Sequence, residues 1–196
     1  MAGWLILVWT LLFCPGLVTG AEDAGTLRFG LYKDASTLNP YVNTRSTDHD
    51  IRTLLYEPLL TLDPKFNVKP HLAESWEISK DATELRLQLR KGVRFHNGKE
   101  LTAEDVLWSI EYVQNPKNAA YGGAQAREIS AAVAIDPYRI RLKLAEPVAS
   151  FPAYLATLQG IPILPKGSLA PADRPSAFPP GTGRSEERRV GKECRL

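Results

Sequence analysis

Leucine stands at every second position of residues 84–90, where Leu85, Leu87 and Leu89 alternate with Glu84, Arg86, Gln88 and Arg90. A period of two puts the leucines on one face of a strand and the polar residues on the other, which predicts a half-buried β-strand. Residues 74–80 read as its partner strand, with Lys80-Asp81-Ala82 as the turn. The pattern returns in residues 129–144. There Tyr138, Ile140, Leu142 and Leu144 alternate with Arg139, Arg141 and Lys143 after an Asp136-Pro137 turn. Between the two hairpins the apolar period becomes helical. Ala103, Val106, Leu107, Ile110 and Val113 make one stripe. Thr102 is the predicted N-cap, and Glu104 and Asp105 fall in the first turn, where carboxylates complement the helix dipole. Asn115-Pro116 closes the helix.

Upstream, Leu27, Phe29 and Leu31 alternate with polar or small neighbours over residues 26–32, which predicts another strand. A loop follows, in which Asn39-Pro40 stops any helix. A second helix is predicted from residue 46, capped by Ser46 or Thr47, with Asp48 and Asp50 in its first turn. Ile51, Leu54 and Leu55 are its predicted apolar face, and Pro58 ends it. Residues 151–160 read as a short helix and 161–165 as a short extended piece. After Pro165 the chain is rich in Pro, Gly, Ser and Ala. The fold class is therefore α/β, a mixed sheet built from antiparallel hairpins rather than a doubly wound parallel one.

Charge changes this picture only at the C-terminal end. The chain carries 24 basic and 22 acidic side chains, five and three of them within residues 184–196 and none within residues 1–20. The body between is balanced, which gives no reason to expect nucleic acid as a partner. Residues 4–13 form an apolar run too short to span a bilayer comfortably. Pro15 and Gly16 break it, and Val18-Thr19-Gly20 presents small residues, so residues 1–20 read as a secretory signal cleaved after Gly20. The n-region has no Lys or Arg beyond the terminal amine. Phe13 before Cys14 occupies the place where a lipoprotein needs a small residue, so the product is expected to be exported and soluble. The two cysteines, Cys14 and Cys194, lie outside the body, which leaves no disulfide framework and no thiolate metal site.

Candidate chemistry is sparse. His49, His71 and His96 are spread over different elements without metal-ligand spacing, and read as surface or turn residues. Asp48 and Asp50 read as dipole-complementing acids rather than a catalytic pair. No nucleophile elbow, phosphate loop or cysteine nucleophile occurs, so no catalytic residue, cofactor or metal is assigned. Trp76 and Trp108 read as packing residues. Tyr121 differs: an aromatic between small residues in the loop KNAAYGG, outside any periodic segment, is a candidate for facing a cleft.

Residues 71–112, HLAESWEISKDATELRLQLRKGVRFHNGKELTAEDVLWSIEY, resemble the signature of the family-5 extracellular solute-binding proteins. The matching positions are Leu72-Ala73-Glu74-Ser75-Trp76, Leu87, Leu89-Arg90, Gly92-Val93, Phe95-His96, Gly98, Thr102-Ala103 and Asp105-Val106. Leu38-Asn39-Pro40, Tyr56-Glu57-Pro58-Leu59 and Glu146-Pro147 follow the family's order. The resemblance implies a two-lobed clamp of periplasmic-binding-protein type II fold, of which residues 21–183 form part of lobe one. It implies a receptor of an ABC importer, not an enzyme. Such a receptor sits in the periplasm, captures an oligopeptide or dipeptide ligand, and delivers it to a membrane permease. By position in the family, Tyr32, Lys33, Asp34, Thr37, Leu38 and Asn39 should face the ligand cleft, with Tyr121 as a second candidate. A nickel- or haem-binding receptor of the same family is the near alternative, and an extracytoplasmic hydrolase the distant one. The family pattern breaks at Gly183. The tail that follows, RSEERRVGKEC, resembles the translation of a sequencing-library adapter and is read as foreign to the protein.

Overall fold

A computed structural model describes residues 30, 37–42, 46–157, 160–169 and 179–183. The chain divides into two compact units, residues 1–30 and 31–196, and the architecture below is that of the second. The signal sequence, nearly all of the first predicted strand and the tail lie outside the described residues.

A four-stranded antiparallel sheet forms the centre. Its strands are β3 (Ala73–Ile78), β4 (Glu84–Leu89), β5 (Ile129–Asp136) and β6 (Arg139–Leu144), in the order β3-β4-β6-β5. Leu85 pairs with Leu142 and Leu87 with Ile140, and these four side chains are buried. The opposite face carries Glu77, Arg86 and Arg141 in one cross-strand row ending at exposed Val133. Both edge strands, β3 and β5, contain bulges, which twist a strand and interrupt the unpaired row that would otherwise invite pairing with another chain.

The helix α2 (Ala103–Gln114) covers the apolar face, with Ala103, Val106, Ile110 and Val113 in the same core as the inward leucines. Its predicted start holds. Asp105 reaches back to accept the Thr102 N–H at 2.9 Å and the Thr102 hydroxyl at 2.9 Å, satisfying a backbone donor at the helix N-terminus. Leu107, predicted for the stripe, is half-buried, and Asp105 and Ser109 are buried instead.

The helix α1 (Ser46–Leu55) occurs where the sequence places it, but its buried face is rotated. Leu54 is 55% exposed, whereas Asp48, Arg52 and Leu55 point inward. The spacing of Asp48, Arg52 and Leu55 is as helical as that of Ile51, Leu54 and Leu55. Hydrogen bonding of the inward Arg52, described below, settles the choice. Two elements escaped the pattern. The hairpin of β1 (Leu60–Leu62) and β2 (Val68–Pro70) has strands too short to show a period. The same holds for the single helical turn α3 (Gly123–Ala126). The predicted helix after residue 150 is confined to α4 (Phe151–Tyr154). No helix among the described residues is long and apolar enough to cross a membrane.

The segment 160–169 is anchored by the polar side chains buried on α2. Ser109 Oγ accepts the Leu164 N–H at 3.1 Å and lies 3.3 Å from the Leu164 carbonyl oxygen, to which it donates. Asp105 Oδ1 accepts the Lys166 N–H at 2.8 Å and the Lys99 ammonium at 2.6 Å. Asp105 thus joins a helix start, a preceding turn and a segment far away in sequence. Burial pushes its carboxyl pKa up, but these hydrogen bonds outweigh that and hold it below the usual carboxylate range.

Candidate functional site

The loop 37–42 is a self-bonded turn. Thr37 Oγ1 accepts the Asn39 N–H at 3.1 Å, and Asn39 Oδ1 accepts the Tyr41 N–H at 3.0 Å. Short side chains that bond their own backbone two residues on are what favour Thr and Asn at such places. Beneath the turn lies Arg52, which is 2% exposed. Its Nη1 donates to the carbonyls of Asn39 at 3.2 Å and Val42 at 3.0 Å, with Pro40 O at 3.5 Å, and its Nε donates to Asp48 O at 2.9 Å. Burial pulls the guanidinium pKa below its ordinary value, and the Asp48 carboxylate offsets only part of that. One buried cation therefore fixes the loop's carbonyls from below.

Tyr41 continues the framework. Its ring stacks on Tyr112 at 5.2 Å, Tyr112 meets Trp108 at 5.3 Å, and the Tyr41 hydroxyl donates to Pro162 O at 2.7 Å. Burial raises the pKa of this phenol well beyond its ordinary value, which keeps it a donor. On the far side, Tyr121 N–H donates to Tyr41 O at 2.9 Å, which draws the 119–123 loop onto the 37–42 loop. Ala119 and Gly122, both with positive φ, let the chain reverse on either side of Tyr121. The Tyr154 hydroxyl donates to Gly122 O at 2.9 Å and holds the loop's end.

Two of the regions nominated from the sequence are thus brought together. They present different things. Thr37 and Asn39 are buried and engaged with backbone, and Leu38 is half-buried against the core. Tyr121 is 40% exposed and offers its ring to solvent. Tyr32, Lys33 and Asp34 lie outside the described residues. Arg52, Tyr41 and Tyr154, which set the geometry, were not nominated. A sign of the first was in the sequence: Asp48 and Arg52 at i and i+4 are a pair that a helix puts side by side. The partners of the two tyrosines are more than 30 residues away and leave no local trace. The arrangement is a rigid backbone turn beside an exposed aromatic. It suits shape and apolar contact with a ligand, and the described residues bring no acid–base pair to it.

The profile of the bacterial extracellular solute-binding proteins, family 5 middle region, matches residues 67–184. The oligopeptide-binding protein AppA of Bacillus subtilis is 30% identical over 148 residues, which is 76% of this chain and 27% of AppA. Among solved structures, the periplasmic binding protein AgaA of A. tumefaciens R10 in complex with agropinic acid superposes with a TM-score of 0.70 at 31% identity, covering 76% of this chain and 30% of that one. NikZ of Campylobacter jejuni in complex with Ni(L-His) gives 0.66 at 28% identity, covering 77% and 30%. The chain therefore spans less than a third of the length of each of these relatives.

Proposed function

Because the chain belongs to family 5 of the bacterial extracellular solute-binding proteins, we propose that residues 21–183 supply part of the first lobe of an exported receptor. That receptor captures oligopeptides or dipeptides outside the cytoplasmic membrane and hands them to the permease of an ABC importer. The observation that carries this reading is the family match on a fold shared with ligand-bound receptors. The 30% identity to an oligopeptide-binding relative supports peptide as the ligand. In this reading Tyr121 and the half-buried Leu38 of the 37–42 loop line the cleft, together with Tyr32, Lys33 and Asp34. Lys33 and Asp34 would pair with the charged peptide termini, and Arg52 keeps the loop in shape. Capture follows from closure: only the closed clamp makes both lobes' contacts, so the ligand shifts the population toward it. Backbone contacts to an extended peptide give tolerance of its side chains.

Reading the coding DNA across the codon of Gly183 tests the first half of this proposal. A frame that continues into a second lobe supports it, and a genuine stop codon after Leu196 overturns it. Isothermal titration of the longer product then tests the ligand. Binding of mixed tri- to pentapeptides at roughly micromolar Kd or tighter is expected. A nickel–histidine ligand is the second reading, favoured by the likeness to NikZ. Binding of Ni(L-His) without peptide would replace the first reading by it.

A further inference from the structure

His96 is held by backbone on every polar atom it presents to the segment 179–183. Its own N–H donates to Gly181 O at 2.8 Å, and Gly181 N–H donates to its ring Nδ1 at 3.1 Å. Its ring Nε2 lies 2.8 Å from Gly183 O. A backbone N–H can only donate, so Nδ1 must be bare. A carbonyl can only accept, so Nε2 must bear the proton. Both ends of the ring demand the same neutral tautomer. The segment in turn lies on the end of α1. Gly183 N–H donates to Leu55 O at 3.1 Å, and the Tyr56 hydroxyl donates to Pro179 O at 2.9 Å. A Cβ on Gly181 would stand 2.0 Å from Leu55 O, and one on Gly183 2.1 Å from Leu54 O. Only glycine permits this approach.

We propose that His96 is a positioning residue that clamps the Gly-Thr-Gly segment onto the end of α1 only in its neutral form, so that protonation releases the segment. Adding a proton to Nδ1 sets two donors face to face and removes one of the three bonds. The charged groups on the neighbouring elements are engaged with other partners. Glu57, just past the end of α1, has a carboxyl whose pKa burial raises, while hydrogen bonding, chiefly from His71, brings it to below its usual value. His71 holds Glu57 from the other side, its Nε2 at 3.2 Å. On the turn that carries His96, Arg94 bonds Gly98 O at 2.9 Å and Lys99 pairs with Asp105 at 2.6 Å. The segment 179–183 has no ionisable side chain.

The clamp stands on this chain alone. Its weight in transport rests on the two-lobed reading, in which the chain passes from Gly183 toward the rest of the receptor and His96 fixes the direction of that departure. Hydrogen exchange on the full chain tests it independently of any ligand. Amide exchange at Gly181 and Gly183 is measured by NMR between about pH 8 and about pH 5, the span over which an imidazole gains its proton, and normalised to the rate of an unstructured peptide. Protection is expected to fall about tenfold or more on acidification. The amide of Leu89, which donates to Tyr138 O at 2.7 Å within the sheet, should keep its protection. Imidazole nitrogen shifts at the higher pH should report a bare Nδ1 and a protonated Nε2. His96→Ala should exchange fast at both pH values, and His71→Gln should retain the pH response. If His96→Ala folds poorly, the unaltered chain decides, because Leu89 reports global opening in the same sample. Unchanged protection at Gly181 while Leu89 stays protected, the opposite tautomer, or loss of the response in His71→Gln would each overturn the proposal.

Discussion

In the hairpin region, residues 73–144, burial falls mainly on aliphatic side chains at a fixed period. In the region made of residues 37–57, 160–169 and 179–183, polar groups take a large share. Leu85, Leu87, Ile140 and Leu142 meet across adjacent strands and need only to be apolar and of fitting size. Arg52, Asn39, Tyr41 and Tyr56 each need a particular carbonyl or N–H in a particular direction. Aliphatic burial is non-directional and strong in sum. Buried hydrogen bonds add little net energy when made and are expensive when one partner is lost. The first region therefore supplies stability and the second supplies geometry, and the 37–42 loop and the segment 179–183 both lie in the second.

Removing a side chain from each region tests that division, beginning with the larger effect. Leu142 is fully buried in the inner row, between Leu85 and Ala132. Leu142→Ala should lower the unfolding free energy by about 3 kcal/mol through lost transfer energy plus the cavity left behind. The urea midpoint at constant m-value measures it. Protease sensitivity of the 37–42 loop should change only as much as global stability does.

Arg52→Met should cost less, about 2 kcal/mol, because the apolar stem still packs while the loop carbonyls lose their donor. Its effect should be local. The loop 37–42 should become open to limited proteolysis at urea concentrations where β4 and β6 remain protected from exchange. If Arg52→Met loosens the sheet and the loop equally, the two regions are one cooperative unit and the division fails.

This division also explains what could be read in advance. The leucines of β4, the alternation in β6 and the stripe on α2 carry a period, so their strands, helix and core faces were legible from the residues alone. The rotated face of α1 was not, because choosing Arg52 over Leu54 depends on carbonyls ten or more residues away. His96 read as a turn residue. Its true partners are 85 and 87 residues distant. The family signature follows the same line. Leu72, Ala73, Leu87, Leu89, Phe95, Ala103 and Val106 are core residues, and Asp105 is a structural tie. It therefore identifies a scaffold and is silent about the ligand, and of the described cleft candidates only Tyr121 presents an exposed side chain.

Asp105 stands where the regions meet, and it gives the smallest and most specific test. Its carboxylate caps α2 in the first region and holds the Lys166 N–H of the second. Its folded pKa lies below that of an unfolded aspartate, so folding favours the charged form. The stabilisation is then fully present above the ordinary aspartate value of about 3.9 and is lost as pH falls through the lower, folded value. Asp105→Asn keeps the size, removes the charge and weakens the four hydrogen bonds that the carboxylate accepts. It should cost about 1–2 kcal/mol at neutral pH. The gap between the two proteins should narrow progressively below about pH 4, as the unaltered carboxyl takes up its proton. Urea midpoints of both proteins at about pH 7 and about pH 3 measure the narrowing. A gap that stays constant over that range would mean that Asp105 acts by shape alone. The joint between the regions would then be one of packing, not of charge-assisted hydrogen bonds.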